Sequence, residues 1–135
     1  MCEAADGSES NIDGTLLFAA NDGANGVELW KSKGTVETTL LVQNISSGAG
    51  ASDPAEFTRL GAAALFRASN DTAGAELWSL PLSALNFAPI AVGATFSTSV
   101  GRTVSGALPA SDPDGSQLSF SIVANGTKGS AAITN

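Results

Sequence analysis

Apolar runs and polar turns follow one another in a repeating order along the first two thirds of the chain. The segment at residues 17–30, LFAANDGANGVELW, returns 48 residues later at residues 65–78 as LFRASNDTAGAELW, with seven of fourteen positions identical. Each copy has an apolar run, a cluster of Asn, Asp and Gly, and a second apolar run, which is the pattern of a β-hairpin. A repeat of this length is typical of stacked repeat architectures.

The segments around the two hairpins predict further strands. Residues 15–20 form a near-continuous apolar run, as expected for a strand covered on both faces, and residues 27–32 alternate. Residues 38–45 predict a third strand and residues 56–60 a fourth, whereas the polar residues 1–13 are expected to fray unless they complete a blade edge. Four short strands per repeat is the size of one β-propeller blade.

The pattern changes after the second copy. Pro81 follows where the first copy continues into a turn, and because proline cannot donate to a sheet ladder, the array is expected to stop there. We interpret residues 81–89 as a linker and residues 90–135 as a second module. In that module residues 117–123 (QLSFSIV) alternate and predict a strand, and residues 131–134 predict the next one.

Composition supports an all-β, turn-rich protein. The chain is 43% hydrophobic with only 14% charged residues and 15 glycines, whereas disorder requires low hydrophobicity and high charge. The net charge of −7 lies in residues 1–56, with nine acids against two bases, while residues 57–135 are neutral. With no cluster of Lys or Arg, nucleic acid and anionic membrane surfaces are not expected partners. The sequence contains no run of 18 apolar residues, so no membrane-spanning segment is predicted.

The residue types present restrict the chemistry. The chain has no histidine and one cysteine, Cys2, which excludes an internal disulfide, a zinc site and a Ser-His-Asp triad. No apolar leader precedes Cys2 to indicate lipid modification. Glu28 and Glu76 suggest a glycosidase pair, but they are the same position of two repeats and are expected in equivalent environments, unlike an acid and a base. We therefore predict structural or solvated carboxylates and no enzyme.

The first copy and its continuation, L-F-x-A through E-L-W-K-S-x-G-T, then a Thr/Leu/Val strand and a Gly/Ser loop, resemble the ELWxxDGT repeats of large bacterial extracellular proteins, which are thought to build propeller-like arrays. Residues 12–60 match one repeat, with Lys33 in the place of an Asp, and the second copy matches through Trp78. The resemblance implies two propeller-type, four-stranded repeats in residues 1–80, the second incomplete. The aromatic residues expected to pack between repeats are Phe18, Trp30, Phe66 and Trp78.

The C-terminal module resembles the opening half of a bacterial cadherin-like repeat. The resemblance is carried by residues 86–92 (NFAPIAV), residues 110–115 (ASDPDG) and the alternating strand after them. It implies an immunoglobulin-like β-sandwich. Since such sandwiches run to about 100 residues and 47 residues remain after Ala88, the sandwich is expected to be truncated.

A low-affinity calcium site is predicted at Asp112 and Asp114. The D-x-D spacing can direct two carboxylates and a backbone carbonyl at one point, with Pro113 stiffening the loop and Gly115 allowing a sharp exit. The resemblance implies a further oxygen from the linker, at Asn86. Two carboxylates with neutral oxygens would bind calcium with a dissociation constant on the order of 0.1 to 1 mM. The alternative is a plain surface turn.

These features predict a non-enzymatic structural and adhesive region of a larger bacterial secreted or surface protein, located outside the cell or at its surface. The expected partners are cell-surface proteins or glycans and the remaining repeats of the parent chain. The alternative is a fragment of a carbohydrate-binding or catalytic propeller, which exposed aromatic residues on one propeller mouth would favour. Burial of Trp30 and Trp78 between blades would count against it. A third possibility is that the fragment has no function alone.

Overall fold

A computed structural model describes residues 7–134, so Cys2 and the first part of the polar N-terminal segment lie outside the described residues. The chain divides into two compact units, Met1–Asn86 and Phe87–Asn135. Regular structure in the described part is antiparallel β-sheet plus one short 3₁₀ helix, which confirms the all-β prediction. Among residues 7–134 no helix is long and apolar enough to cross a membrane.

Two sheets and one 3₁₀ helix make up the regular structure of the first unit over its described residues, 7–86. The first sheet has the strand order β1-β2-β3-β4, and the second has the order β5-β6-β7. The first contains β1 (Glu9–Ile12), β2 (Thr15–Asn21), β3 (Val27–Ser32) and β4 (Leu40–Gln43). The second contains β5 (Ala55–Leu60), β6 (Ala63–Ser69) and β7 (Ala75–Pro81), followed by the 3₁₀ helix η1 (Leu82–Leu85).

Both predicted hairpins form, and they form in the same register. Phe18 lies opposite Trp30 in the β2–β3 pair, and Phe66 lies opposite Trp78 in the β6–β7 pair. Pro81 is the last residue of β7, which lies at a sheet edge, where a missing N–H costs no ladder bond. The repeat in the sequence is therefore also a repeat in backbone pairing.

The grouping of strands into sheets differs from the prediction. Residues 56–60 belong to β5, which pairs with β6 of the second sheet instead of completing the first. The fourth strand of the first sheet is instead β1, which comes from the polar N-terminal segment and pairs with β2. The reason is local: Asp13 and Gly14 both have positive φ, at 53° and 79°, so they join β1 to β2 through a two-residue turn of the kind that favours a tight hairpin.

The core of the first unit lies between the two sheets. Leu17 and Leu29 of the first sheet are fully buried and belong to one cluster with Phe66 and Phe57 of the second. The two phenylalanine rings lie 5.6 Å apart between centroids. Because side chains alternate along a strand, this face of the first sheet (Leu17, Ala19, Leu29 and Lys31), here called its back face, meets the front face of the second sheet. That front face consists of Ala64, Phe66, Ala68, Trp78 and Leu80.

The second unit has little regular structure. Strand β8 (Ile90–Ala91) pairs with β9 (Ala110–Ser111), and Val92 N–H donates to the Pro109 carbonyl at 2.9 Å. The strands predicted at residues 117–123 and 131–134 are absent from the described structure, so those predictions are wrong. Alternation supplies one apolar face but no partner strand, and a strand needs both. Phe120 and Ile122 on that face are accordingly 45% and 40% exposed.

Candidate functional site

The loop between β4 and β5, residues 44–54, donates hydrogen bonds to acidic side chains of both hairpins in the first unit. It has the sequence NISSGAGASDP, and we call it the serine loop. Its small residues let the backbone come close to the β2–β3 turn: a Cβ added at Gly26 would lie 1.9 Å from the Gly50 carbonyl oxygen. The loop is held by one carboxylate from each hairpin, Glu28 and Asp71.

Glu28 is a buried acceptor for the serine loop. Its side chain lies on β3 with no exposed surface. One carboxylate oxygen accepts from the Ile45 N–H at 2.8 Å and the Ser52 hydroxyl at 2.6 Å, and the other accepts from the Ser46 N–H at 3.3 Å. A buried carboxylate requires such donors because its desolvation is otherwise very costly. Glu28 therefore fixes both ends of the loop.

Asp71 holds the same loop from the β6–β7 turn. Its carboxylate accepts from the Ser46 hydroxyl at 2.5 Å, from the Ser47 N–H at 2.9 Å and from the Ser47 hydroxyl. The Ser46 hydroxyl, then the hydroxyl and N–H of Ser47, lower the pKa of Asp71 below its ordinary value by stabilising the charged form. The serine loop thus connects the two repeats through hydrogen bonds to carboxylates.

The acidic residues of the two repeats differ in hydrogen bonding and in exposure. The hydrogen bonds from Ser46 and Ser47 lower the pKa of Asp71 and so make it a weaker proton acceptor. Glu28 is sealed from solvent, while Glu76 is exposed at the surface. The expectation that the two glutamates occupy equivalent environments is therefore wrong. The reason is that the serine loop covers Glu28 of the first copy, whereas the second copy continues through Pro81 into η1.

The four aromatic residues predicted to pack between repeats have different surroundings. Phe66 is in the core, and Trp78 packs against that core and donates its Nε1–H to the Ala68 carbonyl at 3.1 Å. Phe18 and Trp30 are half-buried cross-strand neighbours on the opposite, front face of the first sheet. Trp30 Nε1 is buried without a hydrogen-bond partner among the described residues.

Lys31 forms a further connection within the first unit. Its side chain is 7% exposed, and its ammonium group donates to the carbonyls of Ala84 at 2.9 Å and Asn86 at 2.7 Å. Sequence reasoning missed Lys31, although a lysine in the middle of a buried strand was a signal. It also missed Ser46, Ser52 and Asp71, for which the only signal was the serine content of the loop.

The predicted calcium residues lie in a hydrogen-bonded turn of the second unit. Asp112 Oδ1 accepts from the N–H groups of Asp114 at 2.8 Å and Ser116 at 3.2 Å, and Asp114 Oδ2 accepts from the Phe87 N–H at 2.6 Å. Asn86 belongs to the first unit. Among residues 7–134 no three His, Cys, Asp or Glu side chains are grouped as a metal site. The two carboxylates of the turn are nonetheless the hard oxygen donors that calcium prefers.

No family model matches this chain, and no curated protein or solved structure matches it at a significant level.

Proposed function

We propose that this chain is a non-enzymatic structural and adhesive region of a larger bacterial secreted or surface protein. The observation that carries the proposal is the serine loop, whose polar groups join one repeat to the next. Glu28 and Asp71 direct their carboxylates at N–H and hydroxyl groups of the loop. Carboxylates used in this way stabilise a repeat array.

The propeller-type arrangement is part of the proposal. Each sheet of the first unit is an antiparallel meander, and the back face of the first sheet packs on the front face of the second. Radial repetition of meanders packed face to face is the principle of a β-propeller. The packing of Phe66 and Trp78 at this face supports a role of the repeated aromatic residues between blades, and not in carbohydrate binding.

Calcium binding by the cadherin-like module is the second part. Asp112 and Asp114 would hold the ion, which when bound would neutralise the two carboxylates and stiffen the turn. The turn is already ordered by the bonds from Asp114 and Ser116 to Asp112 Oδ1, so the chain contributes a partly preorganised loop. In an adhesive protein such stiffening would hold neighbouring modules in a fixed extension.

Binding of coated beads to bacterial cells tests the adhesive function. Fluorescent beads carrying the full chain are expected to adhere in about 1 mM calcium and to detach in a chelator, whereas beads carrying Asp112→Ala should adhere weakly in both. Ser119→Ala, at an exposed position of the same unit, is the matched control. Equal adhesion by uncoated beads would contradict the proposal. Turnover of a polysaccharide by the pure chain, lost in Glu28→Gln or Glu76→Gln, would favour the catalytic alternative.

A further inference from the structure

The second sheet has an open back face. The positions equivalent to Leu17, Ala19, Leu29 and Lys31 in the first sheet are Leu65, Arg67, Leu77 and Ser79. In the first repeat this face is covered by the second sheet, and Leu29 has no exposed surface. In the second repeat Leu77 is 76% exposed. A single exposed apolar side chain is common on protein surfaces, but Leu77 is exposed at the position where the first repeat buries its equivalent, Leu29, against a neighbouring sheet.

The first sheet carries the complementary face. Its front face consists of Leu16, Phe18, Ala20 and Trp30, with Glu28 at one end of the face under the serine loop. The four residues lie at the positions that Ala64, Phe66, Ala68 and Trp78 occupy in the second sheet. The latter four form the face that already packs on a back face within this chain. Phe18 and Trp30 are only half-buried. One molecule therefore has both halves of an interface whose geometry is present between its own two sheets.

We infer that the back face of the second sheet binds the front face of the first sheet of a second copy of this chain. The contact would repeat the packing between the two sheets, with Leu77 of one copy taking the place of Leu29, and Phe18 and Trp30 of the next copy taking those of Phe66 and Trp78. Because two different surfaces meet, the association is head-to-tail, and it continues until a ring closes or a filament forms.

Charge favours this orientation over a symmetric one. The seven net negative charges lie in residues 1–56, which include the whole first sheet, whereas residues 57–135 are neutral. Two first sheets facing each other would bring the negative segments together, and like charges across an interface suppress pairing. Head-to-tail packing sets each acidic first repeat against a neutral second repeat. The inference rests on repeat packing alone and requires neither calcium nor adhesion.

Sedimentation velocity of the full chain in a chelating buffer tests the inference. From roughly 10 μM to 1 mM, a range that detects weak interfaces, the weight-average mass is expected to at least double. Leu77→Asp and Leu16→Asp each place a charge on one of the two faces, and each variant alone should remain monomeric. Val100→Asp makes the same change at a fully exposed position outside both faces and should associate like the wild type.

Mixing the two variants gives the decisive measurement. Leu77→Asp keeps an intact front face and Leu16→Asp an intact back face, so an equimolar mixture should form dimers that grow no further. Circular dichroism spectra matching the wild type would establish that both variants are folded. A wild-type chain that stays monomeric over the whole range would overturn the inference. So would association of Leu16→Asp alone, which would show pairing of two back faces.

Discussion

The two hairpins of the first unit share a sequence motif and a strand register, yet the Glu and Leu residues of the motif have opposite environments. Glu28 and Leu29 have no exposed surface, while Glu76 is exposed and Leu77 is 76% exposed. Gly26 touches the serine loop, whereas a Cβ added at Gly74 would meet nothing within 4 Å. The motif specifies a hairpin, and the elements that follow it decide whether that hairpin becomes core or surface.

The elements that follow differ in kind. After β3 the chain supplies β4 and the serine loop, which cover the Glu-Leu-Trp strand from its edge and its end. After β7 it supplies Pro81 and η1, and β7 remains an edge strand of its sheet in the described structure. Substitutions at matched positions of the two repeats separate these contributions, because the two hairpins share their strand register and their Glu-Leu-Trp residues.

The largest difference is expected at the glutamates. Glu28→Ala removes the acceptor for Ile45 N–H, Ser46 N–H and the Ser52 hydroxyl, leaving buried donors unpaired. We expect the free energy of unfolding to fall by about 4 kcal/mol. Glu76→Ala, at the exposed equivalent position, should change it by less than about 0.5 kcal/mol. Urea unfolding of both variants, followed by tryptophan fluorescence, measures the difference. Equal losses would show that the serine loop is not held by Glu28.

The leucines give the next largest contrast. Leu29→Ala opens a cavity between the two sheets and is expected to lower the free energy of unfolding by about 3 kcal/mol. Leu77→Ala removes an exposed side chain and should change it by less than about 0.5 kcal/mol in dilute monomeric protein. Thermal melts at low micromolar concentration provide the comparison. A large loss in Leu77→Ala under these conditions would mean that the back face of the second sheet is covered within the monomer.

The glycines test how closely the serine loop approaches the first turn. Gly26 has φ +71°, and a Cβ there would collide with the Gly50 carbonyl. Gly26→Ala should therefore cost about 2 to 3 kcal/mol, from backbone strain and displacement of the loop. Gly74→Ala meets neither obstacle and is expected to be neutral or slightly stabilising, since alanine restricts the unfolded chain. If both variants were neutral in urea unfolding, the loop would not lie against Gly26.

The smallest effect concerns pH. The pKa of Asp71 is lowered in the folded state, so its contribution to stability is present above the unfolded pKa, about 3.9, and is lost as the pH falls through the folded value. The wild type should lose stability in this acid range, and Asp71→Asn should lose less. Carboxyl NMR provides a direct reading: Ser46→Ala should raise the pKa of Asp71 by removing its main donor, while Ser119→Ala should leave it unchanged.

The hairpins could be predicted because their signals are local. The apolar runs and the turn residues between them place β2, β3, β6 and β7 to within a few residues. The grouping of strands into sheets could not be predicted, because β5 has a strand-like sequence whichever sheet it joins. The two-residue turn at Asp13 and Gly14, which recruits the polar strand β1, carries almost no apolar signal.

The polar contacts between the two repeats could not be predicted from the sequence, for a different reason. The Glu28 carboxylate meets Ser52 across 24 residues of sequence, and Asp71 meets Ser46 across 25. Serine is a common loop residue, so its presence at residues 46–52 did not distinguish a bonded loop from a solvated one. The strand prediction at residues 117–123 was wrong for the opposite reason. Its local pattern is strong, but the described structure provides no partner strand.

Lys31 has a consequence for the order in which the first unit assembles. Most contacts of a hairpin join residues fewer than twenty positions apart, and such contacts close quickly at a small entropic cost. The ammonium group of Lys31 instead donates to carbonyls that lie 53 and 55 positions downstream in the sequence. During synthesis from the N-terminus, the first hairpin can form while these acceptors are still in the ribosome. The strand that carries Lys31 therefore completes its hydrogen bonding only when η1 has emerged, which makes the end of the first unit the last step of its folding.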